Sequence, residues 1–96
     1  MMFAILFEDD PAHADKRAEF MERHLAFLAR NADTVQAAGP MLTAAGDGAG
    51  GLWTVEADTF DDALALTRED PFYPTGLRRK ITVLEWRQVF SKADRG

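Results

Sequence analysis

The chain has 96 residues, 47% of them hydrophobic, and no cysteine. It therefore carries apolar material for one core and has no means of making a disulfide, a thiolate metal site or a cysteine nucleophile. Its 11 Lys and Arg against 16 Asp and Glu give a formal net charge of −5, a field that opposes nonspecific binding to nucleic acid or an anionic membrane. We expect a single domain over residues 1–96 with a polar tail at 92–96, no transmembrane stretch, and a cytoplasmic location by default. A domain this small leaves much of its surface uncovered, so self-association is a physically reasonable source of further burial.

Met2 to Phe7 places Phe3, Ile5 and Phe7 on one face at period two, with Ala4 and Leu6 opposite, which reads as a largely buried first strand. Acidic residues follow it directly, unlike a secretory leader. Asp10-Pro11 ends the strand and suits a helix start, because Asp caps a helix N-terminus and Pro fits the first helical position. A long helix is expected from Pro11 to about Arg30, with an apolar stripe of Ala14, Ala18, Met21, Leu25, Leu28 and Ala32 facing the core.

A short second strand follows at Thr34 to Ala38 and stops at Gly39-Pro40. Ala44 to Gly51 holds four of the seven glycines and reads as a turn or loop. Strand-like alternation resumes at Leu52 to Ala57. A second helix begins near Thr59, where Asp62 takes the place of the usual Glu in a capping box, and it ends at Asp70-Pro71. Residues 72–76 form a single turn or irregular segment, and Ile81 to Phe90 a long last strand. The order strand, helix, strand, strand, helix, strand defines an α+β class: a ferredoxin-like βαββαβ sandwich with helices on one face of an antiparallel sheet. The other face would carry side chains such as Trp53 or Trp86, to be covered by the sheet of a second subunit.

Arg17 and His24 on the first helix, Gly39-Pro40, Asp70-Pro71-Phe72 and Gly76-Leu77, taken in order, resemble the YciI-like (YCII-related domain) family over nearly the whole chain. The resemblance implies a dimeric α+β barrel, in the wider group that includes muconolactone isomerase-like enzymes. It further implies a His/Asp active site, with His24 and Asp70 at the matching positions. The few members with an assigned reaction act by dehalogenation or elimination on chlorinated aromatic breakdown products.

On an ideal helix His24 lies about 60° around from Met21 and within about 20° of Arg17, with Phe20 and Phe27 farther round the same side. In that apolar surround an imidazole can serve as general acid or base, with Asp70 fixing its tautomer and Arg17 steadying a substrate anion. Blander readings stand beside these. His24 could be a boundary histidine satisfying a backbone carbonyl, Asp70 the cap of a helical turn, and Arg17 a surface partner of Glu22 or Asp15. Gly39 and Pro40 either end a strand or bring bare backbone to a pocket, and Phe72, Tyr73 and Trp86 either line an apolar pocket or pack a core or dimer contact. The run Arg78-Arg79-Lys80 reads as a solubilising patch on an edge strand, or as an attractor for a carboxylate substrate. His13 should be exposed.

His13 and His24 face different directions with no compact carboxylate set near them, so no metal is expected. No phosphate loop, dinucleotide fingerprint or nucleophile elbow occurs, and no cofactor is expected. The leading expectation is cofactor-free acid–base chemistry on a small anionic or aromatic-derived molecule. The alternative is a non-catalytic ligand-binding or accessory dimer. An imidazole and a carboxylate in contact within an open cleft would favour the first.

Overall fold

The computed structural model describes residues 1–92, so most of the expected polar tail lies outside the described residues. Its elements are β1 (Met2–Asp9), α1 (Asp15–Arg30), β2 (Val35–Leu42), β3 (Gly48–Glu56), α2 (Phe60–Arg68) and β4 (Arg78–Glu85). The strands form one sheet in the order β2-β3-β1-β4, with every neighbouring pair antiparallel. This is the ferredoxin-like α+β arrangement. Period-two alternation makes it work: Phe3, Ile5 and Phe7 all point to the helix side, where Ile5 lies opposite both Trp53 and Val83 and Phe3 lies opposite Val55. Phe27 from α1 and Ala63 from α2 close the core over them.

The Thr59 cap starts α2 as expected, whereas Asp10 caps a 3₁₀ turn and α1 itself begins only at Asp15, with Ala14 before it making no side-chain cap. The Asp10 carboxylate accepts the Ala12 N–H at 2.9 Å, a bond that holds its pKa below the ordinary value, and a 3₁₀ turn at Pro11–His13 leads into α1. Thr59 Oγ1 accepts the Asp62 N–H at 3.0 Å and starts α2.

The α1 stripe differs from expectation. Ala14, Ala18 and Ala32 are exposed and Leu25 is 57% exposed, whereas His24 and Phe27 are the buried positions and Met21 and Leu28 are half-buried. Alanines add little to burial, so the helix is turned to sink the Phe27 ring, and that rotation carries His24 inward with it.

The middle of the chain is also more regular than expected. β2 runs through Gly39-Pro40 to Leu42, because it is an edge strand on which a missing N–H costs no ladder bond; the register slips between Pro40 and Leu42. Only residues 43–47 form the turn, closed by the Thr43 N–H donating to Asp47 O at 2.8 Å. Gly48 to Gly51 belong to β3. Gly50 has φ +93°, and a Cβ there would stand 2.0 Å from the Phe7 carbonyl oxygen, so this strand needs glycine where β1 passes close.

β4 starts three residues before the expected strand and ends at Glu85. Trp86 N–H still donates to Met2 O at 2.8 Å, but beyond the start of β1 there is nothing left to pair with, and Val89 and Phe90 stand exposed. Trp53 is on the helix side and 2% exposed, not on the open face. The open face instead shows Ala4, Leu52, Thr54, Leu84 and Trp86 around a shallow apolar hollow.

Candidate active site

Three elements bring the polar groups together. The turned α1 presents His24, the segment after α2 presents Asp70, and the first residue of β4 presents Arg78. His24 Nδ1 lies 2.9 Å from Asp70 Oδ1, and Asp70 is 1% exposed. The same oxygen accepts the Phe72 N–H at 3.2 Å, while the Asp70 backbone carbonyl accepts the Tyr73 N–H at 2.9 Å. Asp70 is thus both the start of a helical turn and the partner of the imidazole. A carboxylate oxygen can only accept here, which assigns the proton to Nδ1 and leaves Nε2 as the acceptor. Nδ1 carries the only hydrogen bond of the His24 side chain among the described residues.

Arg78 completes the group. Its Nη1 lies 2.7 Å from Asp70 Oδ2, a close buried ion pair. Burial pushes the guanidinium pKa down to about 10, opposed by the charges of Asp70 and Asp9, so it remains a cation at neutral pH. The guanidinium lies over the Phe7 ring at 3.8 Å from its centroid, with Trp53 at 5.1 Å and Phe72 at 5.3 Å. The His24 ring stacks on Phe72 with centroids 4.3 Å apart. Rings on several sides hold imidazole and guanidinium in place.

A cleft of about 100 Å³ opens on this group, lined among others by Phe7, Arg17, Met21, His24, Gly39, Pro40, Gly51, Trp53 and Arg78. Of the residues singled out in the sequence, His24, Arg17, Gly39 and Pro40 border the cleft, while Asp70 and Phe72 sit directly behind His24. Tyr73 does not join them; it is 42% exposed on the 3₁₀ turn Tyr73–Thr75. Arg17 pairs with Asp9 rather than with Glu22 or Asp15. It also borders a second cleft of about 510 Å³ lined by Glu8, Asp9, Asp10 and Arg79. His13 is half-buried rather than exposed, with its ring against Gly76 and its Nδ1 3.4 Å from Asp10.

Arg78 is the residue that sequence reasoning missed. A run of three basic residues reads as a solvated patch, yet Arg78 turns inward with its side chain 4% exposed while Arg79 and Lys80 stay outside. No local signal marked it, because its inward turn follows from the register shift between Glu8 and Asp9 that sets Arg78 opposite Asp9.

Among the described residues no group of three or more His, Cys, Asp or Glu side chains could hold a metal ion, and no helix is long and apolar enough to cross a membrane. The fold and these side chains define a ferredoxin-like α+β protein with a buried imidazole–carboxylate–guanidinium group on a small cleft. The chain belongs to the YCII-related domain family, whose model matches residues 1–87. It is similar in structure to 5-chloro-2-hydroxyhydroquinone dehydrochlorinase from Burkholderia phenoliruptrix, solved in complex with 2,5-dihydroxybenzoquinone. That match has a TM-score of 0.80 and 29% sequence identity, and covers 91% of this chain and 94% of that one. No curated protein matches this chain in sequence.

Proposed function

We propose that this chain is a cofactor-independent acid–base enzyme that drives an elimination, isomerisation or dehalogenation on a compact anionic or aromatic-derived molecule. The observation that carries this reading is the 2.9 Å contact between His24 Nδ1 and Asp70 Oδ1 at the base of an open cleft. An imidazole protonated at Nδ1 and bonded to a fixed carboxylate can take a proton at Nε2 and return it there. In a dehalogenation, the substrate gives its proton to Nε2, the electron pair forms the new double bond, and halide departs. The likeness to a dehydrochlorinase supports this order of events. Arg17, Gly39 and Pro40 border the space where such a molecule would sit, and Phe72 backs the imidazole, while Tyr73 is exposed and not part of the cleft lining.

The test is chloride release from 5-chloro-2-hydroxyhydroquinone, the substrate named for the structural neighbour, and from small halogenated acids. Wild type should release chloride and His24→Gln should lose nearly all of that activity. Equal release from the two proteins would sink the assignment.

The reading extends to assembly and place. We take residues 1–96 to be one domain, the open sheet face to pair with a second copy, and the dimer to work in the cytoplasm. The apolar hollow at Leu52, Leu84 and Trp86 supports the pairing.

A further inference from the structure

We propose that Arg78 is the anion-binding residue of the cleft and restricts its ligands to planar, single-ring molecules carrying an ionised oxygen. This rests on the acid–base reading of His24 and adds the substrate class to it.

The argument starts from what a buried guanidinium needs. It carries five N–H donors in a fixed fork, and a structural arginine satisfies them against a carboxylate with two parallel bonds. Arg78 does not. Asp70 Oδ1 is already occupied by His24 and the Phe72 N–H, so Arg78 meets only Oδ2, through Nη1. Nε is buried without a hydrogen-bond partner and Nη1 is buried against Asp70 Oδ2, so neither is open to a ligand. The other terminal nitrogen, Nη2, has no hydrogen bond to any described residue. A side chain that borders the cleft, with Nη2 unspent and the guanidinium lying over the Phe7 ring, is set up to receive an acceptor from outside the chain through Nη2.

Charge and size narrow that acceptor. Arg17 is a weaker candidate, because it is 30% exposed and already paired with Asp9, whereas the field of Arg78 acts in a poorly solvated pocket where it is screened least. Asp70 and Asp9 balance the charges of Arg78 and Arg17, so the group has no surplus positive charge with which to hold a large polyanion. A cleft of about 100 Å³ is smaller than the cavity of about 150 Å³ that takes benzene, so it admits at most part of one small ring, the rest lying at its open mouth. Arg78 would hold the ionised oxygen of such a ring in place while His24 takes its proton, the electron pair forms the new double bond and halide departs.

The probe is 2,5-dihydroxybenzoquinone, titrated into wild type, Arg78→Lys and Arg78→Met by calorimetry. Both Arg78 variants should bind roughly 10- to 100-fold more weakly, the loss expected for a charge-assisted hydrogen bond. Because Arg78→Met strands Asp70 and could unfold, a second measurement uses wild type alone: saturable shifts of the Arg78 side-chain ¹⁵N resonances with benzoate but not with its neutral isostere benzamide. Equal binding of benzoate and benzamide, unchanged binding in Arg78→Met, or no response to any of these anions would overturn the proposal. Undiminished chloride release by His24→Gln would overturn the acid–base reading and leave the anion-binding result standing.

Discussion

His24 Nδ1 and Asp70 Oδ1 meet at 2.9 Å although 46 positions separate them in sequence, and Arg78 faces the other carboxylate oxygen at 2.7 Å. This arrangement makes the tautomer of His24 depend on the charge of Asp70. In Asp70→Asn the amide oxygen should turn to Arg78, because a bond to a cation outweighs the 3.2 Å bond from the Phe72 N–H. The amide NH₂ then faces His24 Nδ1, which must accept, and the proton moves to Nε2 on the cleft side. Imidazole ¹⁵N shifts should show the change from the Nδ1–H to the Nε2–H form, with turnover falling about 10³- to 10⁴-fold, as for a comparable tautomer error in a hydrolase triad. An unchanged tautomer would mean that Asp70 does not orient the ring.

The ion pair should also appear in stability. Arg78→Met leaves a fully buried carboxylate without its cation and should cost about 3–5 kcal/mol in urea unfolding. The double variant Arg78→Met/Asp70→Asn should recover part of that loss, since no buried charge then remains unpaired. The pH dependence has a definite sign. Burial lowers the folded pKa of Arg78 to about 10, below the ordinary arginine value, so the unfolded chain binds more protons from there up to that ordinary value. The contribution of Arg78 to stability therefore rises with pH across that window and is at its lowest, and flat, below about pH 9. A contribution that falls as pH rises through the window would contradict the burial-driven shift.

Two glycines that look alike in sequence should respond differently. Gly50→Ala puts a Cβ within 2.0 Å of Phe7 O at a φ of +93°, whereas a Cβ at Gly39 would meet nothing within 4 Å. Gly50→Ala should cost at least about 2 kcal/mol, and Gly39→Ala should stay within about 0.5 kcal/mol. In a domain of this size the first corresponds to a melting midpoint roughly 8–16 °C lower by calorimetry. Equal midpoints for the two variants would mean that β1 and β3 do not approach as described.

These residues also mark what could be read from sequence. Element order came through because period-two alternation in Phe3, Ile5 and Phe7 and the caps at Asp10 and Thr59 are local signals. The glycines at 48–51 misled, because a close approach between two backbones and a turn use the same residue for different reasons. The face of Trp53 and the inward turn of Arg78 are set by register against β1, which is a long-range fact absent from either segment alone. His24 and Asp70 stood out by residue type and by family resemblance, while their contact depends on the rotation of α1, which a stripe of alanines disguised.

The open sheet face yields the last prediction. Leu6 is 36% exposed, Leu84 49% and Trp86 44%, and with Ala4, Leu52 and Thr54 they form a contiguous apolar surface on the side that no helix covers. A second copy stacking its own sheet there would bury these groups at little cost in polar desolvation. Light scattering at micromolar concentration should give the mass of two chains for wild type. Leu84→Arg sets a like charge on both copies at the centre of the contact and should shift the mass to that of one chain, with the helical far-ultraviolet signal retained because residue 84 faces away from the core. A wild-type monomer at that concentration would remove the paired-sheet reading, and a dimer that survives Leu84→Arg would place the contact on another surface.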